Sequence, residues 1–420
     1  MAFGEHTSKE IIGSKSNELA GTRIILCITG SVAASKSTEI AREMMRRGAD
    51  VYAVMTKAAL QIVHPDMVEW ATGNPVVTEL TGKIEHVQYA GEHELRTDLI
   101  LVAPSTANTI GKVASGIDDT PVTTTLTTGI GAGIPVIIVP AMHASMYKHS
   151  IVLENIEKLQ KHGIDVLVPR MEEGKAKILG TQDIVHAVVT KLHVKKDLVG
   201  KRVLVTGGPT RAYLDAFRYI TNPSSGKMGV AIAQNALDRG AEVTLVYGPG
   251  TAKPPLGVKV VPILGTDDML VAVQNELSSK RYHTAILSAA AADYGAPDRE
   301  MEKTPSGKDE WIITLKPLPK VIENVKKVDA DVYLVGFKAE YDLSDEELIA
   351  RSHKRMVDAG MDLIVANDVA RKNAGFGTDT NEVFIIDTEK NVNHVEMATK
   401  YDVASRILDT VLDAIKDRRF

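Results

Sequence analysis

The stretch "GTRIILCITGSVAASKSTEIAREMMRRGADVYAVMT", Gly21–Thr56, reads as strand, glycine turn, amphipathic helix and second strand. "RIILCI" is a continuous apolar, β-branched run, the kind that lies in a sheet covered on both faces. "TG" breaks the run, apolar residues then recur at helical spacing, and "RRGADV" ends the helix at a glycine before the next strand. The pattern starts again at "GKRVLVTGGPTRAYLDAFRYITNPSSGKMGVAIAQNALDRGAEVTLVYG", Gly200–Gly248, with a longer turn and with "DRGAEV" for "RRGADV". Two βαβ openings predict an α/β chain of two Rossmann-like three-layer domains. The Lys-rich "KLHVKKDLVGK" joins them, and the boundary is placed near Leu198, giving domains 1–197 and 198–420. The short helix "QDIVHAVVTKLH" closes the first.

Further strands are expected at "TDLILVAP" and "IPVIIVPAM" in the first half. In the second they are expected at "KVVPIL", "HTAILSAAAADY", "DEWIITLKP", "DVYLVGFKAE", "DLIVANDV" and "NEVFIID", followed by a last helix "EMATKYDVASRILDTVLDAIKD". The 420 residues are 44% hydrophobic and 25% charged, with a formal net charge of -5. That balance fits a soluble globular protein and gives no footprint for nucleic acid. No run reaches the ~20 apolar residues of a membrane span, and the polar N-terminus has no signal-peptide core, so a cytoplasmic protein is expected. The single cysteine, Cys27, excludes an internal disulfide and a multi-cysteine metal site. Its place in a strand marks it as a core thiol.

Open α/β sheets bind ligands outside the carboxyl ends of their strands, so the stretches just after strands carry the argument. "GSVAASKS", Gly30–Ser37, has Ser35 where a P-loop needs glycine. A glycine–serine turn entering a helix still offers an anion site, such as one for the phosphate of FMN, or is a plain strand-to-helix turn. "LVAPSTANTIGKVASGIDD", Leu101–Asp119, puts uncharged donors and acceptors after a buried strand, either for a flavin ring edge and ribityl hydroxyls or as a helix cap. "PAMHASMY", Pro140–Tyr147, ends another buried run with a histidine between two methionines.

Taken together, "TGSVAASK", "APSTANTIGKVASGIDD" and "PAMH" resemble the flavin-dependent cysteine decarboxylases, which include phosphopantothenoylcysteine decarboxylase. The resemblance implies a flavodoxin-like flavoprotein domain with FMN held by Gly30, Ser31, Ser35, Thr56, Ser105, Thr106, Ala107 and Asn108. It also implies a catalytic histidine upstream of the "APSTAN" strand, where "IEHVQYAGEHELRTDLI" offers His86 and His93; His86 matches better, and the ordinary alternative for either is a surface histidine. A cysteine carboxylate has no electron sink of its own. Transfer of hydride from the carbon bearing the thiol to a flavin, with the thiol proton passing to a base, would give a thioaldehyde whose C=S can accept the electrons, and the enethiol left after loss of carbon dioxide would take the hydride back from the reduced flavin. His143 stands where asparagine follows "PAM" in most relatives, and it is assigned to the substrate carboxylate, with Met142 on the apolar wall; the ordinary alternative is a histidine hydrogen-bonded to loop backbone. Bacterial relatives carry a clamp cysteine in a segment that here reads "RMEEGKAKILG", Arg170–Gly180, without cysteine. Glu173, Lys175 and Lys177 are the candidates to replace it.

In the second half "NPSSGKMG" opens a helix with donors suited to phosphate, or is an ordinary helix start; GxGxxG is absent, which disfavours NAD. The longer string "GGPTRAYLDAFRYITNPSSGKMG", followed in order by "SAAAADY", "VGFKAE", "DLIVANDV" and "FGTDTNEV", is similar to phosphopantothenate–cysteine ligase. A decarboxylase followed by this ligase is the arrangement of the bifunctional coenzyme A biosynthesis proteins. The resemblance implies ligation of 4'-phosphopantothenate to L-cysteine through an acyl cytidylate, with CTP as co-substrate and Mg2+ as cofactor. Asn222 and Lys303 are assigned to catalysis, with Lys308 as an alternative lysine. Ser225, Gly226, Asp293, Lys303, Phe337 and Lys354 are assigned to the nucleotide, and Asp293 to the metal; the ordinary alternative for Lys308 and Lys354 is a solvated helix or loop charge. It further implies a homo-oligomer, with decarboxylase trimers and ligase dimers. The rival readings are a ligase with a degenerate first half, a regulatory flavoprotein, and an NAD-dependent reductase.

Overall fold

The two openings fold into two mainly parallel sheets, one in each of two compact units, Met1–Val194 and Lys195–Phe420. The structure is a computed structural model and describes residues 6–172, 175–296 and 310–416. In the first unit the strands are β1 (Arg23–Ile28), β2 (Asp50–Met55), β3 (Val76–Val77), β4 (Leu99–Ser105), β5 (Val136–Pro140), β6 (Met142–His143), β7 (Asp165–Val166), β8 (Arg170–Glu172) and β9 (Lys175–Lys177). Six of them form the main sheet in the order β3-β2-β1-β4-β5-β7. The Cys27 position of β1 faces Val54 of β2 and Val102 of β4, all parallel. Side chains alternate across the sheet. Ile24, Leu26 and Ile28 pack under the helices Ser37–Arg46 and Thr181–His193, while Ile25 and Cys27 pack on the opposite side with Ile110, Leu126 and Ile156. Burial pushes the Cys27 thiol pKa up, so the group stays a protonated core thiol.

The second unit repeats the plan. Its strands are β10 (Arg202–Gly207), β11 (Arg211–Tyr213), β12 (Tyr219–Thr221), β13 (Glu242–Tyr247), β14 (Lys259–Pro262), β15 (Thr284–Leu287), β16 (Tyr294–Gly295), β17 (Lys316–Pro317), β18 (Tyr333–Glu340), β19 (Leu363–Asp368), β20 (Thr380–Asp387) and β21 (Val392–Thr399). The main sheet runs β14-β13-β10-β15-β18-β19-β20-β21. The first six strands are parallel, and β20 and β21 return antiparallel. In both sheets the first strand lies between the second and the fourth of its own parallel set, so the chain reverses direction across the sheet beside β1 and beside β10. A ligand crevice opens at such a point.

Two expectations are corrected. The described residues 310–317 of "DEWIITLKP" form no strand of the main sheet: of them only Lys316–Pro317 pair, antiparallel to Tyr294–Gly295, and Ile312 is 83% exposed. Their alternation of apolar residues has no buried face to satisfy. The last helix starts later than "EMAT" implies, at Lys400, because that tetrapeptide ends strand β21. Thr399 then caps the helix, accepting from the amide of Asp402 at 3.2 Å.

Candidate functional sites

In the first unit three stretches meet at Ala141. Its amide donates to the carbonyl of Ser105 at 3.0 Å, and its carbonyl accepts from Ser31 Oγ at 3.1 Å. The turn after β1, the end of β4 and the "PAMH" loop are thereby tied together. Thr29 adds a second tie: its hydroxyl donates to Pro104 O at 2.9 Å and accepts from the amide of Thr106 at 3.1 Å. Gly30 is dictated by close approach, since a Cβ there would lie 2.5 Å from Ala58 Cβ in the loop after β2. That loop begins with Thr56, which is buried and accepts from the amide of Ala59 at 3.3 Å. Ser35 is exposed, its hydroxyl donating to Val32 O at 3.0 Å. Thr106 caps the helix Ala107–Ala114, and Asn108 is exposed on its first turn.

These residues fit a flavin. Ser105 is fully buried, and among the described residues its Oγ has no hydrogen-bond partner. A buried hydroxyl left unpaired destabilises the fold unless a ligand meets it. FMN would be held by Ser105 and by the uncharged donors and acceptors around it.

His86 lies on the helix Glu85–Ala90, half-buried, and its Nδ1 is buried without a hydrogen-bond partner among the described residues. The residue before that helix, Ile84, has φ 49° and ψ 50°. A left-handed β-branched residue costs about 1–2 kcal/mol, so the entry to the His86 helix is strained. His93 is exposed and its Nδ1 accepts from the amide of Leu95 at 3.1 Å. His143 is exposed and caps the turn Ala144–Tyr147, with Nδ1 2.9 Å from Ser145 Oγ and accepting from the Ser145 amide at 3.4 Å. With Nδ1 as the acceptor, the neutral ring carries its proton on Nε2. β6 also pairs with β9, Met142 opposite Ala176 and His143 opposite Lys175. The segment "RMEEGKAKILG" thus contributes an antiparallel pair, β8 with β9, beside "PAMH". Glu173 lies outside the described residues.

In the second unit a cavity of about 420 Å³ opens at the carboxyl edge of the sheet. Asn222, Gly226, Asp293 and Phe337 all line it. Asn222 Nδ2 donates to the carbonyls of Ala290 and Ala291 at 3.2 and 3.1 Å, which fixes the amide against the loop after β15. Gly226 has φ 81°, and a Cβ there would lie 2.2 Å from Tyr247 Oη. Ser225 Oγ donates to Phe376 O at 2.6 Å, tying the "NPSSG" turn to the loop that follows β19. Asp293 forms an ion pair with Lys320, which also lines the cavity. Among the described residues no group of three His, Cys, Asp or Glu side chains converges to hold a metal. A Mg2+ that arrives with a nucleotide needs only one or two protein carboxylates, the phosphates supplying the rest, and among the described residues Asp293 is the carboxylate in the cavity lining. Lys354 is exposed on the helix Asp345–Asp358 and is not part of the lining; its neighbour Arg355 is, paired with Glu323 at 2.9 Å. Lys303 and Lys308 lie outside the described residues.

Sequence reasoning missed Lys227, Lys320, Lys338 and Lys400, all in the cavity lining. Lys227 stands inside the quoted "SSGKMG" and Lys338 inside "VGFKAE", where each could have been noticed. Lys400 gave no signal, because it sat inside an assumed helix. Burial pushes its ammonium pKa down to about 8, the charge of Lys227 adding to the shift and Asp379 opposing it.

Among the described residues no helix is long and apolar enough to cross a membrane. Two families match the chain: the one described as Flavoprotein over residues 12–193, and the one described as DNA/pantothenate metabolism flavoprotein C-terminal domain over residues 198–415. The Coenzyme A biosynthesis bifunctional protein CoaBC of Thermococcus kodakarensis is 48% identical over 406 residues, 97% of this chain and 98% of the relative. Its namesake in Methanocaldococcus jannaschii is 36% identical over 415 residues, 98% of each chain. A crystal structure of the C-terminal domain of a protein of that name is 32% identical, covering 53% of this chain and 100% of its own, with a TM-score of 0.45. With such relatives along nearly its whole length and a family match to each half, the chain belongs to the bifunctional coenzyme A biosynthesis proteins, enzymes that join a flavoprotein decarboxylase half to a ligase half.

Proposed function

We propose that the second half ligates 4'-phosphopantothenate to L-cysteine with CTP, and that the first half, carrying FMN, decarboxylates the product to 4'-phosphopantetheine. The observation that carries the reading is a cavity lined by Asn222, Gly226, Asp293 and Phe337 together with Lys227, Lys320, Lys338, Arg355 and Lys400. Attack of the pantothenate carboxylate on the α-phosphorus of CTP forms an acyl cytidylate and releases pyrophosphate. The cysteine amine then attacks the acyl carbon, CMP leaves, and the amine proton is lost. Gathering a carboxylate and a triphosphate needs compensating positive charge, which these cations supply. Mg2+ would enter with CTP and rest against Asp293. Asn222 orients the acyl group while its Nδ2 stays on the Ala290 and Ala291 carbonyls. Lys303 is proposed to reach the phosphates.

In the first half, bound FMN would supply the hydride acceptor and donor for a reaction that is redox-neutral overall. Gly30, Ser31, Ser35, Thr56, Ser105, Thr106, Ala107 and Asn108 would hold it. His86 would take and return the proton, and His143 would donate its Nε2–H to the substrate carboxylate. The β8–β9 pair would cover the site. A homo-oligomer in the cytoplasm, with trimers of the first half and dimers of the second, completes the proposal. The full-length match to bifunctional relatives supports it over a ligase-only or regulatory reading. Purified protein incubated with phosphopantothenate, cysteine and either CTP or ATP tests it. Pyrophosphate release with CTP, followed by carbon dioxide release, is the expected result; no pyrophosphate with either nucleotide overturns it.

A further inference from the structure

Four consecutive backbone carbonyls beside the cavity are each bound by a side chain. Lys400 Nζ donates to Gly375 O at 2.8 Å and to Thr378 O at 2.6 Å. Ser225 Oγ donates to Phe376 O at 2.6 Å, and Lys227 Nζ to Gly377 O at 2.9 Å. A loop with glycine at two of these four positions has little intrinsic preference for one shape, so these donors set it. Lys400 makes the largest commitment. The residue is 6% exposed, and a buried ammonium is costly unless its donors are satisfied. Two charge-assisted bonds to carbonyls meet that need. The nearest anion, Asp379, is itself 2.7 Å from Lys227.

A second observation marks the same end of the cavity as shaped for a ligand. Asn381 is 4% exposed, lines the cavity, and among the described residues its Oδ1 has no hydrogen-bond partner. The loop carries Gly375 and Phe376 into the lining, and Lys227, Lys338 and Lys400 bring positive charge to it. Clustered ammonium groups suit an anion, and both substrates proposed for the cavity before cysteine enters bear phosphate.

We propose that Lys400 is a positioning residue for ligation: it holds the Gly375–Thr378 loop in the shape that admits a phosphate-bearing substrate to this end of the cavity. The proposal rests on the reading of the cavity as the ligase site. It assigns to Lys400 no contact with the reacting atoms, so its loss should act on KM more than on kcat.

The test is steady-state ligation by the full chain at saturating cysteine, with CTP and phosphopantothenate varied in turn. Lys400→Met should raise KM for one of the two by about tenfold, the scale of a lost charge-assisted hydrogen bond, with kcat within about threefold. The two arms tell nucleotide from pantothenate phosphate. Lys400→Arg keeps the charge and should recover most of the loss. Unchanged KM values in Lys400→Met, or a defect confined to kcat, overturn the proposal. Should Lys400→Met not fold, the wild-type protein answers alone. The groups facing the ammonium are Lys227 and Asp379, while Asp402 on its own helix is turned to the Thr399 hydroxyl at 2.5 Å. Above pH ~7.5 phosphates are already fully ionised, so a KM that rises between about pH 7 and 9 reports loss of the Lys400 proton. A KM flat across that range overturns the proposal. Wild-type protein that does not ligate at all sinks the reading of the cavity; wild-type ligation with an indifferent Lys400→Met sinks only this inference.

Discussion

The two halves start from one plan and use it for different chemistry. Beside β1, the site residues other than His86 are small and uncharged: Ser31 and Ser105 bind Ala141, Thr106 is tied to Thr29, Asn108 is exposed on the next helical turn, and the unsatisfied atoms are the buried Ser105 hydroxyl and His86 Nδ1. Beside β10, the site is a cavity lined by five cations, Lys227, Lys320, Lys338, Arg355 and Lys400. A flavin ring and ribityl chain need shape and neutral hydrogen bonds, whereas a triphosphate meeting a carboxylate needs charge. The shared topology supplies the crevice; the loop side chains decide what enters it.

If the halves are chemically independent, single changes should silence one activity and spare the other. Asn222→Asp should have the largest effect. A carboxylate cannot donate to the Ala290 and Ala291 carbonyls that Asn222 now binds, and it brings negative charge to an acyl phosphate. Ligation should fall by about 100-fold or more, with carbon dioxide release from supplied phosphopantothenoylcysteine unchanged. Parallel loss of both activities would show that the comparison fails and that the variant disturbs more than its own site.

The mirror experiment is His86→Asn. Loss of a general base typically costs about 100-fold or more, so decarboxylation should nearly stop while pyrophosphate release continues. His93→Asn is the control, since that ring is exposed and occupied with the Leu95 amide. If the control has the larger effect, the histidine assignment passes from His86 to His93.

Ser105→Ala sharpens the cofactor side. Removing the unpaired hydroxyl leaves the protein fold intact, because no bond within the described residues is lost. FMN affinity, read by quenching of flavin fluorescence, should weaken by about tenfold, the scale of one buried hydrogen bond. Unchanged affinity would remove Ser105 from the flavin site.

Much of this was legible in the sequence, for a physical reason in each case. Both βαβ openings could be read because buried parallel strands need uninterrupted apolar runs, as in "RIILCI" and "RVLV". The meeting of "TGS", "APS" and "PAM" could be anticipated because all three follow such runs and strand ends share one edge. Strand β21 was hidden: its burial alternates poorly, with only Val395 buried in the eight residues Val392–Thr399, so "EMAT" read as part of the helix. Lys400 was hidden with it. Its role depends on the carbonyls of Gly375 and Thr378, more than twenty positions away, and no local pattern announces such a bond. Asp293 was read as a metal ligand, and its pairing with Lys320 was equally beyond local spacing.

His143 carries the smallest expected effect and the finest distinction. Its Nδ1 caps the turn Ala144–Tyr147, so a variant that loses activity could have lost the cap alone. Asparagine and aspartate are both good caps, each accepting from the turn's amides. They differ in what they offer a substrate carboxylate: the amide can donate, while the aspartate carboxylate can only repel. His143→Asn should therefore retain substantial decarboxylase activity. His143→Asp should keep the turn and FMN binding, yet raise KM for phosphopantothenoylcysteine by about tenfold, the scale of a charge-assisted hydrogen bond replaced by repulsion. His143→Leu loses both cap and donor and should be the worst of the three, with ligation untouched in all. If His143→Asp matches His143→Asn in KM and kcat, the histidine is a helix cap and nothing more, and the substrate carboxylate is held elsewhere.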